Sequence, residues 1–507
     1  MREYKMIAGT SMVDEVVNTL TADAYFDGHT IQLGLRFTTD AKDEQKWYYD
    51  LTNDNWEFIE ITSEGWKIVR NMIIFRRYDH QLPQVSPETN YSPEIFDQFM
   101  NLLNVKKEDR LLLKCYTIAT FIPNLLKAVL MVHGEQGTAK SMLEELLISL
   151  IDPTRTRTLT IPRSTEELIR ELSHHAVAYY DNLSIIPGWV SDLLCRAVTG
   201  SGFSKRKLYT DNGDIIYVLQ RVIGFNGINL AATRADLLSR GLIIQTESIS
   251  KGNRRRMRDI WKEFDQLKSK LLGYILDILV KVLKWKKDNP EVELVKDYPR
   301  MADWAEWCEI IAHCMGEKEG VFMEAYSGNI NLQTQEVIEG SDVAIALQIF
   351  IDLFPDWAGS ATDLLEKLQG VAISNNIDIK NRYWPKTANR LSRSLKILQQ
   401  TLREVDIEIT WDHEPNRKRA RILKIKKLSS ATSNRPQSSD LAQNVVQTSD
   451  DTDCADCRKD NENNIPSAEN YENQAQNESA DDTDDTDDTL KELVQSEPPK
   501  RPPGYQN

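Results

Sequence analysis

His133-Gly134-Glu135-Gln136-Gly137-Thr138-Ala139-Lys140-Ser141 is the segment of this 507-residue chain with the most chemistry in it. An apolar run, Ala128-Val129-Leu130-Met131-Val132, leads in, and Met142-Leu143-Glu144-Glu145-Leu146-Leu147 leads out with helical spacing. A strand, a glycine-bearing loop and a Lys-Ser pair opening a helix form an arrangement with a physical use. Glycines let successive N–H groups turn toward one phosphate, and the helix start adds its positive end. Gly134, Glu135, Gln136, Gly137, Thr138, Ala139, Lys140 and Ser141 are therefore expected to bind ATP. Lys140 would bring charge to the β- and γ-phosphates, and the Ser141 hydroxyl a ligand for Mg²⁺. The pattern G-x-x-x-x-G-K-[ST] asks for glycine at 139; alanine stands there, adding the smallest side chain that has a Cβ.

Hydrolysis needs a carboxylate near the metal, at the end of a neighbouring strand. Ala176-Val177-Ala178-Tyr179-Tyr180-Asp181-Asn182 offers Asp181 as that second Mg²⁺ ligand. The next residue, Asn182, cannot accept a proton, which leaves the identity of the base open. A further apolar run, Val222-Ile223-Gly224-Phe225, ends at Asn226, whose amide could meet the γ-phosphate or the attacking water. Arg234 and Arg240 follow before Leu242-Ile243-Ile244, and an arginine there could reach a neighbouring subunit's nucleotide and stabilise transition-state charge. Lys140, Asp181, Asn226 and Arg240 are the predicted catalytic set.

These groups need a parallel α/β sheet to hold them, and short apolar runs alternating with helical stretches between 93 and 250 have that pattern. The expected whole is multidomain α/β. Residues 1–92 predict a small β-rich domain of strands and turns, from Tyr25-Phe26 through Trp47–Leu51 and Gly65–Val69, with Asp27-Gly28 as turn chemistry. Residues 251–339 predict a helical region. Residues 340–428 predict a helix capped by Ser360, a basic helix through Trp384–Lys396, and a hairpin from Ile407–Trp411 through a turn at Asp412–Pro415 to Arg417–Lys427. That is the plan of a winged helix-turn-helix. Arg390, Arg393 and Lys396 share an outer face at steps of three and are the predicted DNA contacts of its second helix. Residues 429–507, rich in Ser, Asn, Asp and Thr, predict a disordered acidic tail.

With 41% apolar and 27% charged residues the chain has enough apolar surface for real cores. Its net charge of −15 argues against nucleic acid until it is apportioned. Segment 429–507 holds eighteen acidic and six basic side chains, so the folded body carries only −3 and its local basic clusters decide the matter. No stretch reaches the roughly 18 apolar residues of a membrane span; the nearest, Leu111–Val132, is broken by Lys114, Pro123, Asn124 and Lys127. No secretory signal and no disulfide framework is evident, so a cytoplasmic location is expected. His174 and His175, ahead of the Asp181 strand, read as surface residues, and Cys308, His313 and Cys314 as a packed helix.

In order and spacing, Gly134–Ser141, Tyr179–Asn182, Thr199–Tyr209, Ile223–Asn229 and Arg240 resemble the ATPase of superfamily 3 helicases within the AAA+ class. The similarity is to the helicase part of phage and plasmid primase–helicase proteins, and it covers about residues 95–250. It implies a P-loop, AAA+-like core using ATP and Mg²⁺, a homo-oligomeric ring such as a hexamer, and single-stranded or forked DNA as partner. It also implies that Lys205, Arg206 and Lys207 lie on a hairpin whose basic tip contacts DNA in the ring's pore. The resulting expectation is an ATP-dependent DNA helicase or translocase in replication of a plasmid, virus or integrated element. An ATP-switched initiator or helicase loader that does not unwind is the alternative.

Overall fold

The computed structural model describes residues 9–28, 33–70, 74–183, 186–206, 214–227, 235–381, 384–413 and 421–428. All of them belong to one compact unit, residues 1–432. The predicted acidic tail, Lys207 and Arg234 lie outside the described residues.

The amino-terminal part departs from the strands expected of it. Thr10–Phe26 is a helix, α1, with no buried residue, and Asp27 closes it instead of linking two strands. Met12, Val13, Val16, Val17 and Leu20 recur at helical intervals, a period that the strand expectation for residues 1–92 passed over. A four-stranded antiparallel sheet comes next, in the order β1 (Phe37–Thr39), β2 (Trp47–Asp50), β3 (Phe58–Thr62), β4 (Gly65–Val69). Alternation divides its side chains. Trp47, Tyr49, Ile59 and Ile61 enter the main core of the unit, whereas Tyr48 and Phe58 meet Phe75 on the other face. One face of the sheet is therefore part of the same core as the parallel strands and helices beyond residue 93.

Beyond α2 (Ile95–Met100) and α3 (Arg110–Ala119) the chain runs β5 (Val129–His133), α4 (Lys140–Ile151), α5 (Thr165–His174), β6 (Val177–Tyr180), α6 (Gly188–Val198). It continues with β7 (Gly202–Arg206), β8 (Asp214–Val218), β9 (Val222–Gly227), α7 (Ala235–Leu238) and β10 (Gly241–Gln245). Strands β10-β5-β9-β6 form a sheet that is parallel throughout, as the alternating pattern predicts. Its strands are buried along nearly their whole length, which is why they are continuous apolar runs rather than alternating ones. Because they are parallel, His133, Asp181 and Asn226 all emerge at one edge of the sheet, where open α/β sheets bind ligands. Among the described residues, strands β7 and β8 pair only with each other, between β6 and β9 in the chain.

Three helices come after the sheet, α8 (Met257–Asp288), α9 (Ala302–Met315) and α10 (Val321–Glu339). Cys308 is buried among α9's core residues, as its helical setting suggests. Helix α10 finishes the parallel sheet: Asn329 Oδ1 accepts the Ile243 N–H at 3.0 Å, and Gln333 Nε2 donates to the Gly241 carbonyl at 2.8 Å. Side-chain amides thus take the place of a further strand along β10, blunting an edge that would otherwise recruit another chain.

The last part has its own core, built from Leu347, Phe350, Leu364, Leu368, Trp384, Leu391, Leu395, Ile409 and Ile425 among others. It comprises α11 (Asp342–Leu353), β11 (Asp356–Gly359), α12 (Ala361–Ser374), α13 (Ala388–Glu404), β12 (Ile407–His413) and β13 (Arg421–Lys427). Ser360 and Asp363 form the reciprocal cap at α12. Pairing of β12 with β13 runs to His413 opposite Arg421, so Asp412 and His413 of the expected turn are strand, and its residues 414 and 415 lie outside the described residues; β11, unforeseen, adds a third antiparallel strand beside β13. No described helix is long and apolar enough to cross a membrane.

Candidate nucleotide site

The loop between β5 and α4 is shaped by three backbone positions. A Cβ on Gly134 would stand 2.1 Å from Thr246 Oγ1, so only glycine lets the end of β5 pass this close to the chain leaving β10. Gly137 turns with φ +82° and Ala139 with φ +65°, ψ 31°. Ala139 thus holds the left-handed conformation for which the pattern specifies glycine, and the departure changes the energy of the turn while keeping its shape. Ala139→Gly is therefore expected to stabilise the chain by up to about 1 kcal/mol, read as a higher midpoint in urea unfolding. A lower midpoint would show that the turn is not strained.

Thr138 locks the loop from within: its hydroxyl lies 2.9 Å from the Glu135 carbonyl and 2.8 Å from Thr246 Oγ1. Glu135, Gln136 and Gly137 form the exposed tip, with Glu135 accepting from Ser248 Oγ at 3.0 Å. The Lys140 ammonium folds over the loop, donating to the carbonyls of Gly134 (2.8 Å) and Glu135 (2.7 Å). Partial burial lowers its pKa, and the Asp181 carboxylate works against that shift.

Below the loop the strand ends and α4 converge. Ser141 Oγ donates to Asp181 Oδ1 at 2.8 Å, joining residues forty positions apart. Asn226, 2% exposed, donates through Nδ2 to the same Asp181 oxygen at 2.7 Å and to Glu144 Oε2 at 2.6 Å. Its Oδ1 accepts the backbone N–H of Asn182 at 2.9 Å. Both hydrogens of the Asn226 amide are therefore spent on carboxyl groups, not offered to a γ-phosphate as the sequence suggested. Sequence reasoning missed Glu144. A helical period that runs from Lys140 through Leu147 and Ile151 puts position 144 on the buried face of α4, and that was the available signal. Burial pushes its carboxyl well above the usual range; the Asn226 hydrogen bond opposes this and the Asp181 charge adds to it.

Ser141 and Asp181 are hard oxygen donors on one spot, which suits Mg²⁺. Among the described residues no three His, Cys, Asp or Glu side chains are placed to hold an ion by themselves. A metal at this pair would complete its shell with phosphate oxygens and water, as Mg²⁺ does in phosphate-transfer sites.

The remaining predicted residues lie elsewhere. Arg240 opens β10, its carbonyl accepting the Val129 N–H at 2.8 Å, so it stands at the opposite end of the sheet from the loop. Its guanidinium pairs with Asp236 at 2.6 Å, a carboxylate it shares with Arg300. Burial works to raise Asp236, and hydrogen bonds from Arg240, Cys195 and Arg300 outweigh it, holding the pKa at about 2. A cavity of about 550 Å³ opens here, lined by Asp236, Ser239, Arg300, Gln333 and Glu404, away from the loop. Lys205 and Arg206 lie on β7, opposite Ile215 and Asp214 of β8. Arg390, Arg393 and Lys396 are exposed on α13 while Leu391 and Leu395 are buried, and Lys396 Nζ sits 5.7 Å from the Trp411 ring centre. His174 and His175 are half-buried, not surface residues: His174 stacks on Tyr78 at 4.2 Å and His175 on His80 at 4.1 Å.

Residues 96–329 match the family model described as Actinomycete integrative conjugative element replication protein, and residues 343–439 the one described as AICE RepA C-terminal domain. The chain is similar to replication proteins of this family. Among solved structures, the apo NrS-1 C-terminal region (305-718) is 11% identical, covering 82% of this chain and 90% of that one at a TM-score of 0.34. A JCV helicase with a bound acetamide compound is 13% identical over 48% of this chain and 67% of that one, at 0.26. No match was found among curated proteins. The likeness to the replication family thus spans both the nucleotide-loop region and the carboxy-terminal part.

Proposed function

We propose that this replication-type protein is an ATP- and Mg²⁺-dependent DNA-translocating ATPase of the superfamily 3 type, acting as a ring in the copying of an integrated or plasmid-like element. The observation that carries this reading is the Ser141–Asp181 contact at 2.8 Å beside the loop that ends in Lys140. Two oxygen ligands and a cation meet where three parallel strands end, which is the equipment that phosphoryl transfer requires. Ser141 and Asp181 would hold Mg²⁺, which would supply positive charge against the negative charge that develops on the phosphate. Lys140 would leave its loop carbonyls for the phosphates, while Asn226 keeps Asp181 turned toward Ser141. Asn182 cannot act as base; it contributes its backbone N–H, which fixes the Asn226 amide.

Arg240 is too far from its own chain's loop to serve it and suits a neighbouring copy's nucleotide, after release from Asp236. Strand β7, paired with β8, carries Lys205 and Arg206 as the DNA-contacting pair, and α13 with the β11-β13-β12 sheet forms a winged-helix-like module whose exposed Arg390, Arg393 and Lys396 suit a groove or backbone. The test is ATP turnover with and without single-stranded DNA, beside native mass in ATP. DNA-stimulated turnover by an oligomer is expected, and neutralising Lys205, Arg206 and Lys207 together should abolish the stimulation while sparing basal turnover. Stimulation that survives in that triple variant refutes the role of β7–β8. Asn182 favours a second reading, an ATP-switched initiator that binds duplex without unwinding it; strand displacement on a forked substrate separates the two.

A further inference from the structure

Helix α4 turns Leu143, Leu146, Leu147 and Leu150 into the core, and Glu144 stands among them fully buried. Among the described residues the carboxyl has exchanged water for a single hydrogen bond, and its Oε1 has no partner. Burying a carboxyl on such terms costs stability, and an apolar residue of similar size would fit the same helix face at less cost. What the carboxyl does instead is set the Asn226 amide. The Asn182 N–H can only donate, so Asn226 must present Oδ1 to it and Nδ2 to the opposite side. Nδ2 has two hydrogens and two acceptors, Asp181 Oδ1 and Glu144 Oε2.

We propose that Glu144 is a positioning residue for the metal–nucleotide site: by taking one hydrogen of the Asn226 amide it holds the other on Asp181, fixing the carboxylate that faces Ser141. The inference rests on the ATPase reading and deepens it. A chain with no acid at position 182 draws its second site carboxyl from the loop helix. Without that acceptor one amide hydrogen would be buried and unpaired, so the amide would turn to recover a partner and Asp181 would lose its donor.

Glu144→Leu removes the acceptor and keeps the bulk; Glu144→Gln keeps an acceptor in its carbonyl. The measurement is binding of a fluorescent ATP analogue titrated with Mg²⁺, repeated in EDTA, with thermal melts alongside. In the leucine variant the Mg²⁺ midpoint is expected to rise about tenfold, with binding in EDTA unchanged and the melting temperature equal or higher. The glutamine variant should return the midpoint to the parental value, and in an Asn226→Ala background Glu144→Leu should move it no further. A parental midpoint in the leucine variant, failure of glutamine to restore it, or a leucine variant that cannot fold each overturns the proposal. If the parent protein shows no Mg²⁺-dependent nucleotide binding at all, the ATPase reading itself has failed.

Discussion

Lys140→Ala is expected to lower ATP turnover by about 10²–10³-fold, the scale seen when one transition-state donor is removed from a phosphoryl or acyl site. The chain should stay folded, because among the described residues the ammonium bonds to the Gly134 and Glu135 carbonyls alone, at the solvent-facing loop, where water can replace it. The loss is one of charge. As γ-phosphate cleavage proceeds, negative charge spreads over the transferring oxygens, and a cation at the loop is worth more there than in the ground state. Arginine is not expected to rescue: its planar fork needs paired acceptors and more room than the compact ammonium that the left-handed turn at Ala139 delivers. Phosphate release by the purified variant, with circular dichroism as the control for folding, reads the outcome. Undiminished turnover, contaminants excluded, would remove Lys140 from the site and the nucleotide reading with it.

Arg36→Leu should destabilise the unit by about 3–5 kcal/mol, as breaking a buried ion pair from one side does. Arg36 is fully buried and all five of its N–H groups are used. Nε donates to Asp152 Oδ1 at 2.7 Å, Nη1 to the Asp50 carbonyl and Thr52 Oγ1 at 3.0 and 2.7 Å, and Nη2 to the carbonyls of Leu82 and Pro153 at 3.3 and 3.2 Å. It fastens the amino-terminal sheet to the end of α4, since Asp152 is that helix's C-cap. Leucine would leave Asp152, 2% exposed, with its charge buried and unopposed, and would take a donor from the carbonyls of Asp50, Leu82 and Pro153, the last of which keeps the Leu82 N–H. Asp152→Asn, which keeps an acceptor facing Nε, should cost less. Urea unfolding of the three proteins checks the order; an Arg36→Leu midpoint equal to the parent's would mean the sheet is not anchored there. Because α4 begins at Lys140 and ends at this clamp, the same variant is expected to loosen the nucleotide loop.

The glycine-bearing loop between β5 and α4, the strand leading to Asp181 and the strand leading to Asn226 were legible because each is a local pattern. Glycine placement, a Lys-Ser pair and an apolar run ending in a polar residue depend on neighbours in the chain. Helix α1 shows the same reason in reverse: the strand expectation for residues 1–92 passed over its apolar residues' spacing of three and four, which is the physical signal. Asp412 and His413 are strand because of pairing across β12 and β13, where Asp412 meets Ile422, a contact that residues 412–415 alone do not announce.

What the amino-acid order determined by itself was the elements around the β5–α4 loop and the side chains each could bring: Lys140 and Ser141 at the end of a glycine-bearing loop, an acid at 181, an amide at 226. Only the tertiary structure decided how they combine. Asn226 came to face Asp181 and Glu144, Arg240 to rest on Asp236 at the far end of the sheet, and Asn329 and Gln333 to close the β10 edge. These contacts span between 4 and 92 positions of chain, and their partners are chosen by which strand ends and helix faces the packed core brings within hydrogen-bond reach. Chain order carries local preference; burial, which forces every polar group to find a partner, assigns the rest.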